Sequence, residues 1–236
     1  MSEWAAFRKK EMDQIRRWWP VVYGGRVALL LIGEIFFALM ISFLAVSGGS
    51  KEDDILMGAV IIPAMLLVIL CTADTVPALR TTGEFELTIT LPQPLRLILH
   101  RMLPAVGLAL AQAAALTIFL ALFLRPFWHV FFALPACLCP ILFSLAAGLL
   151  WNLYLKGAGV VFLFSLLTLI PAFFWIGNTP LIIAGSYVEY GAGFIPAWKA
   201  VLYWVLCQGG LLLGSMGLFV LSLRRLKKTE KLLREK

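Results

Sequence analysis

Long apolar runs separated by short polar or basic breaks dominate this chain. Six stretches, near 27–46, 55–73, 102–124, 130–153, 158–176 and 200–223, are almost continuously hydrophobic. Each has about the 20 residues that a helix rising ~1.5 Å per residue needs to cross a roughly 30 Å hydrocarbon core. The runs do not alternate over about 10 residues as membrane strands do, so they predict helices and not a barrel. Pro63, Pro104, Pro135, Pro140 and Pro171 fall inside them. In a helical bundle neighbouring groups re-satisfy the carbonyls that prolines free, so these positions predict kinks rather than ends. The predicted fold class is an all-α integral membrane protein with six transmembrane helices, forming one domain over 1–236.

The segments between the runs add three elements. Residues 1–22 predict an interfacial amphipathic helix: Trp4, Phe7, Met12, Ile15, Trp18 and Trp19 share one arc, and Lys9, Lys10, Asp13, Arg16 and Arg17 lie opposite. Arg8 and Glu11 intrude on the apolar arc three residues apart, where they can pair. Residues 177–199 carry Gly177, Pro180, Gly185, Gly191, Gly193 and Pro196 between apolar pieces. They predict short helices or a re-entrant hairpin before span six, with Tyr187, Glu189 and Tyr190 placed to border an exit. Residues 74–101 join spans two and three. Within them Gly83-Glu84-Phe85-Glu86-Leu87-Thr88-Ile89-Thr90-Leu91 is a short amphipathic run ahead of Pro92 and Pro94. Acidic residues in its first turn favour a helix start, and Pro92 stops it.

Composition strengthens the membrane reading and charge orients it. Hydrophobic residues make up 61% of the chain and charged ones 14%, against roughly 25% charged in a soluble domain. Of the 20 lysines and arginines, only Lys51, Arg125 and Lys199 fall on one side of the predicted membrane. The others precede span one, lie at Arg80, Arg96, Arg101 and Lys156, or fill the basic tail over 224–236. The positive-inside rule puts that crowded side, with both termini, in the cytoplasm. The net charge of +7 is thus a topology signal suited to anionic membrane lipids, and gives no support to a nucleic-acid partner. The charged N-terminal region is too long for a cleaved signal peptide.

Few side chains carry candidate chemistry. Glu34 lies about 10 Å into the first span, where an ionised acid costs on the order of 2.5–3.5 kcal/mol. It is a candidate for the substrate pathway or for an interhelical hydrogen bond. Gln112 and Gln208 are deep as well, with helix–helix hydrogen bonding the plainer role. Gly210-x-x-x-Gly214, followed by Gly217, offers a small-residue packing face. Cys71, Cys137, Cys139 and Cys207 all fall in spans, and Cys137-x-Cys139 lacks a second ligand pair, so no metal is expected. His100 and His129 sit near opposite membrane edges, and there is no H-E-x-x-H or G-x-S-x-G, so the chain is not expected to be an enzyme. An ion-coupled carrier more often shows an internal repeat, and none is evident.

At 83–101 the sequence resembles a type-2 ATP-binding-cassette (ABC) transporter permease. That family typically has Gly, a small hydroxyl residue, an aliphatic, Glu, further aliphatics, Pro and then a basic residue. Gly83, Phe85, Glu86, Leu87, Ile89, Pro92 and Arg96 match in order and spacing. Arg101 sits where a basic residue often enters the third span. Glu84 departs from the usual Ser or Thr, although an acid still suits a helix start. The architecture is similar as well: an interfacial helix, six spans, a short cytoplasmic coupling helix between spans two and three, and a broken segment before span six.

The resemblance implies the permease subunit of an exporter that moves a small or amphipathic substrate outward. A separate ABC ATPase subunit would dock on the coupling helix and hold the ATP and magnesium, leaving this chain without a cofactor. The chain contains no Gly-Lys dipeptide and so no phosphate-cradling loop of its own. Phe85 is implied as an apolar knob in the ATPase groove, with Glu84 and Glu86 at its rim. A homodimer or a heterodimer with a sister permease, in a bacterial cytoplasmic membrane, is also implied. Haem or cytochrome-maturation exporters are similar in size, and antibiotic, peptide and lipid exporters fit equally. The reading outside the family is a non-transporting membrane scaffold or assembly factor.

Overall fold

The computed structural model describes residues 60–91, 93–124, 129–180, 187–190 and 193–234. The interfacial helix over 1–22, the first span near 27–46 with Glu34, and Pro92 lie outside the described residues. Seven helices and one hairpin follow in order: α1 (Ile62–Thr72), α2 (Thr75–Thr81), α3 (Glu84–Thr90), α4 (Pro94–Leu124), α5 (His129–Tyr154), α6 (Ala158–Gly177), β1 (Tyr187–Tyr190), β2 (Gly193–Pro196) and α7 (Ala197–Arg234). Among the described residues, five helical stretches are long and apolar enough to cross a membrane: Ile62–Thr81, Pro94–Phe119, Pro135–Tyr154, Ala158–Gly177 and Ala197–Lys231. They coincide with the second to sixth predicted spans and make this a multi-pass membrane protein.

The helix α5 is the hub, packing on α1, α4, α6 and α7. In the α1–α2 and α5 stretches 72% of the apolar window is buried, against 28% in α6 and α7, so the first two are central and the last two peripheral. Met65, Ile69, Met102, Ile141, Leu149 and Leu169 meet in the core. Leu163, Leu167 and Phe174 of α6 and Val205, Leu213 and Met216 of α7 point outward. An apolar outer face costs nothing where the surroundings are lipid tails.

Close helix approach relies on small residues. A Cβ at Gly148 of α5 would stand 2.7 Å from the Thr72 hydroxyl of α1, so the two helices touch at this point. Gly214 of α7 lies under the Phe143 ring, where a Cβ would come within 2.9 Å, and Gly210 lies under the Trp175 indole. The glycine face of α7 therefore receives aromatic rings from two different helices, whereas Gly217 has open space beside it. Five buried hydroxyls are satisfied within their own helices: Thr72, Thr117, Ser144, Ser215 and Ser222 each donate to the carbonyl four residues back.

Four sequence expectations change or narrow. The connection over 74–101 holds a second short helix, α2, ahead of the expected one, and the third span begins at Pro94 instead of 102. Proline is favoured at a first helical position because it lacks only an N–H that would be unbonded anyway. The basic tail continues α7 as helix to Arg234. Before α7, of the two alternatives of short helices or a re-entrant hairpin, two antiparallel strands form, with Tyr187 opposite Pro196 and Tyr190 opposite Gly193. The aromatic and β-branched residues of Tyr187-Val188 suit strands.

Gly148→Ala is expected to destabilise the protein by about 1–3 kcal/mol through overpacking against Thr72. Gly217→Ala, with nothing in the way, should stay within about 0.5 kcal/mol. Unfolding of the two variants in mixed micelles by SDS titration checks the difference.

Candidate functional site

The most elaborate side-chain arrangement lies at the end of the bundle where α2, α3, the start of α4 and the ends of α5 and α7 meet. Most of the described basic residues gather there. The corner begins with a break at Ala73–Asp74 between α1 and α2. Pro77 explains the break: it offers no N–H to the Ala73 carbonyl, and its ring crowds that carbonyl. Regular bonds bracket the gap, from the Ala73 N–H to the Ile69 carbonyl and from the Ala78 N–H to the Asp74 carbonyl, each 2.9 Å.

Inside the gap sits the carboxamide of Asn152 from α5, fully buried. Its Oδ1 accepts from the Val76 N–H at 3.1 Å, and its Nδ2 donates to the Thr72 carbonyl at 2.9 Å and to the Gly148 carbonyl at 2.7 Å. Thr72 and Val76 are four apart, so these are the acceptor and donor that an unbroken helix would join directly. One turn further on, the Arg80 guanidinium donates to the Leu155 and Leu153 carbonyls, the second at 3.1 Å. It thereby satisfies carbonyls at the α5 C-terminus, where the helix dipole favours a cation. Its face also lies over the Phe85 ring, 4.8 Å from the centroid.

Gly83 makes the turn from α2 into α3 with φ +75°, a left-handed conformation that glycine adopts without cost. Phe85, Thr88 and Ile89 then face inward, three and four residues apart, with Phe85 and Ile89 in the same core as Leu226 of α7. Glu84, Glu86, Leu87 and Thr90 face outward, and Leu87 is 61% exposed. Phe85, expected as the outward knob, is only 8% exposed. The Arg80 guanidinium covers its ring, and α7, which extends beyond its apolar span, packs on α3. Leu87 is the apolar side chain that α3 offers outward.

At the far end of α3, Leu91 is extended, as a residue before Pro92 must be. Gln93 takes φ +64° and its carbonyl opens α4, accepting from the Arg96 N–H at 3.0 Å. Arg96 is exposed and reaches the Gln93 side chain at 3.2 Å. Arg101 is brought to Glu84 with a 3.4 Å ion pair across half-exposed side chains. Such a pair contributes little, roughly 0–1 kcal/mol, and marks proximity more than strength.

The deep polar candidates are not gathered into one chamber. Gln208 of α7 donates from Nε2 to the Ala136 carbonyl of α5 at 3.3 Å. That carbonyl is the one Pro140 leaves without its helical donor, so Gln208 repairs a proline gap across a helix contact. Gln112 is buried in α4. Neither lines the open cleft of about 520 Å³ between α6 and α7, whose walls include Phe174, Trp175, Tyr203 and Leu206. Among the described residues no three His, Cys, Asp or Glu side chains group together to hold a metal ion. Cys71, Cys137, Cys139 and Cys207 carry free thiols.

Asn152 and Arg80 escape a reading of the sequence for chemistry. Their signals are faint: a lone Asn two residues before the end of one helix, and a proline five residues after a threonine on another. Only the packing of α1–α2 on α5 makes them one site. No protein-family model matches the chain, and neither a curated protein nor a solved structure matches it.

The two faces of α3 should respond oppositely to truncation. Phe85→Ala is expected to cost about 3 kcal/mol of stability, whereas Leu87→Ala should stay within about 0.5 kcal/mol. Melting of the purified variants in detergent separates them.

Proposed function

We propose that this chain is the membrane-spanning permease subunit of an ABC exporter, carrying a small or amphipathic substrate outward with ATP hydrolysed by a separate subunit. The observation behind this reading is the corner itself. A short helix is anchored on its inner face by Phe85 and Ile89 and presents Glu86, Leu87 and Thr90 at the basic end of the bundle. Its residues are those of the Gly83–Arg101 motif. An apolar side chain flanked by carboxylates suits a groove with a basic rim, as a docking ATPase would provide.

In the full arrangement six spans cross the bacterial cytoplasmic membrane, the first over 27–46, with both termini in the cytoplasm. The basic end holds Arg80, Arg96, Arg101, Lys156 and the arginines and lysines of the α7 extension, against Lys199 at the other end among the described residues. That asymmetry supports a cytoplasmic corner. Two such chains, identical or sister permeases, would enclose the pathway, and Glu34 and Gln112 remain its candidate lining. Gln208, bonded to Ala136, is better explained as packing.

The test is biochemical. The chain purified from its host membrane should bring down a Walker-motif ATPase and raise its hydrolysis in proteoliposomes. Leu87→Glu and Glu86→Arg should weaken that stimulation at least several-fold while leaving the melting temperature unchanged. If no ATPase associates and both variants behave as the unaltered protein, the transporter reading fails and the scaffold reading takes its place.

A further inference from the structure

We infer that Ala73–Asp74 is a two-state hinge, held bent by the Asn152 carboxamide, so that α2 and α3 move as part of the α5 end rather than as a continuation of α1. The inference stands on hydrogen-bond geometry alone and is independent of whether an ATPase docks on α3.

The Thr72 carbonyl and the Val76 N–H are natural partners four residues apart. Both are instead bonded to one side chain from another helix. Thr72 and Asn152 are fully buried, so water is not an alternative partner. Two arrangements satisfy donor and acceptor together. Either the carboxamide lies between them and the helix is bent, or they bond to each other and the helix is straight. Any intermediate angle leaves a buried donor and acceptor bare, which an apolar interior penalises heavily. The break therefore switches between discrete states instead of flexing continuously.

The balance favours the bent form. On straightening, Asn152 would keep its Nδ2 bond to the Gly148 carbonyl but lose the donor to Oδ1. Pro77 denies the Ala73 carbonyl its helical donor in either state, so straightening recovers one bond and not two. A straight population on the order of 0.1–10% is the expected scale for a minor state of this kind.

Attachment decides which helix the corner follows. The Val76 N–H and the Arg80 guanidinium lie one turn apart along α2, and both bind groups of α5. Between α1 and α2, by contrast, the missing bond is the one across the break. Movement applied to α3 thus enters α5 through Asn152 and Arg80. With Gly83 allowing a turn of only two residues, Thr82 and Gly83, between α2 and α3, there is little slack to absorb it.

The experiment places spin labels at Thr82 and Lys228, both exposed, in the full-length protein with its four native cysteines replaced by alanine. Pulsed dipolar spectroscopy in nanodiscs then reads the distance distribution. Asn152→Leu removes the bridge and should move the main peak to a second position. A bend of more than about 20° carried along nine residues shifts the label by about 5 Å. Pro77→Ala restores the missing donor by a separate route and should raise the same second peak. An unchanged distribution in folded Asn152→Leu overturns the inference, even if Pro77→Ala shifts it. Should Asn152→Leu not fold, Pro77→Ala decides alone, and an unshifted peak there overturns it equally.

Discussion

Inside an apolar bundle every backbone donor and acceptor needs a partner, and the prolines of this chain remove donors where helices are buried. The consequences are visible at Pro77 and Pro140. Near the first, the α1–α2 helix gives way and the Asn152 carboxamide takes over the stranded Thr72 and Val76 groups. At the second, α5 continues and Gln208 takes the Ala136 carbonyl from the side. A side-chain amide is suited to both because it carries a donor and an acceptor in the same spacing as a peptide bond. Two of the polar residues that a membrane core would otherwise exclude are thereby explained by backbone completeness, without assigning them to a substrate.

The same constraint organises the corner at the basic end. Arg80 is long enough to bond carbonyls past the end of α5 with its edge while its face lies on Phe85. A lysine could supply the charge but not the flat, forked geometry that serves both contacts. Phe85 in turn fixes the inward face of α3 in the core, and this leaves Glu86 and Leu87 outward. The orientation of a seven-residue helix thus depends on an arginine outside it and on a helix that begins more than 100 residues later.

The apolar runs were enough to place the described spans to within a few residues at most ends, because length and hydropathy are nearly all that a bilayer demands. The short helix over Glu84–Thr90 was legible too, from Gly83, two early acids and Pro92. Its facing was not. Phe85 and Leu87 are both apolar, and which one is covered depends on the α7 extension, whose polar residues read as a tail. The start of α4 was placed late because Arg96, His100 and Arg101 interrupt hydropathy, although Pro94 marks the helical first turn. The strand character of the hairpin before α7 was obscured by glycines that fit several loop types, while the alternation in Tyr187–Tyr190 is too short to stand out. Asn152 carried no signal of its own, since its partners lie 76 and 80 residues away in sequence.

The uninterrupted course of α7 has a mechanical meaning. Its 38 residues make a rod of about 57 Å, nearly twice the thickness of a hydrocarbon core. One end emerges directly from the hairpin strand at Pro196, and the other reaches the basic end of the bundle, where Arg225 lies over the Tyr154 ring of α5. With no proline in between, the rod has no joint of the kind that divides α1 from α2. It behaves as a lever: a tilt of about 5° pivoting at one end sweeps the other through about 5 Å. The two opposite surfaces of the protein are therefore geared to each other by a single helix, and displacement at either one is felt at both.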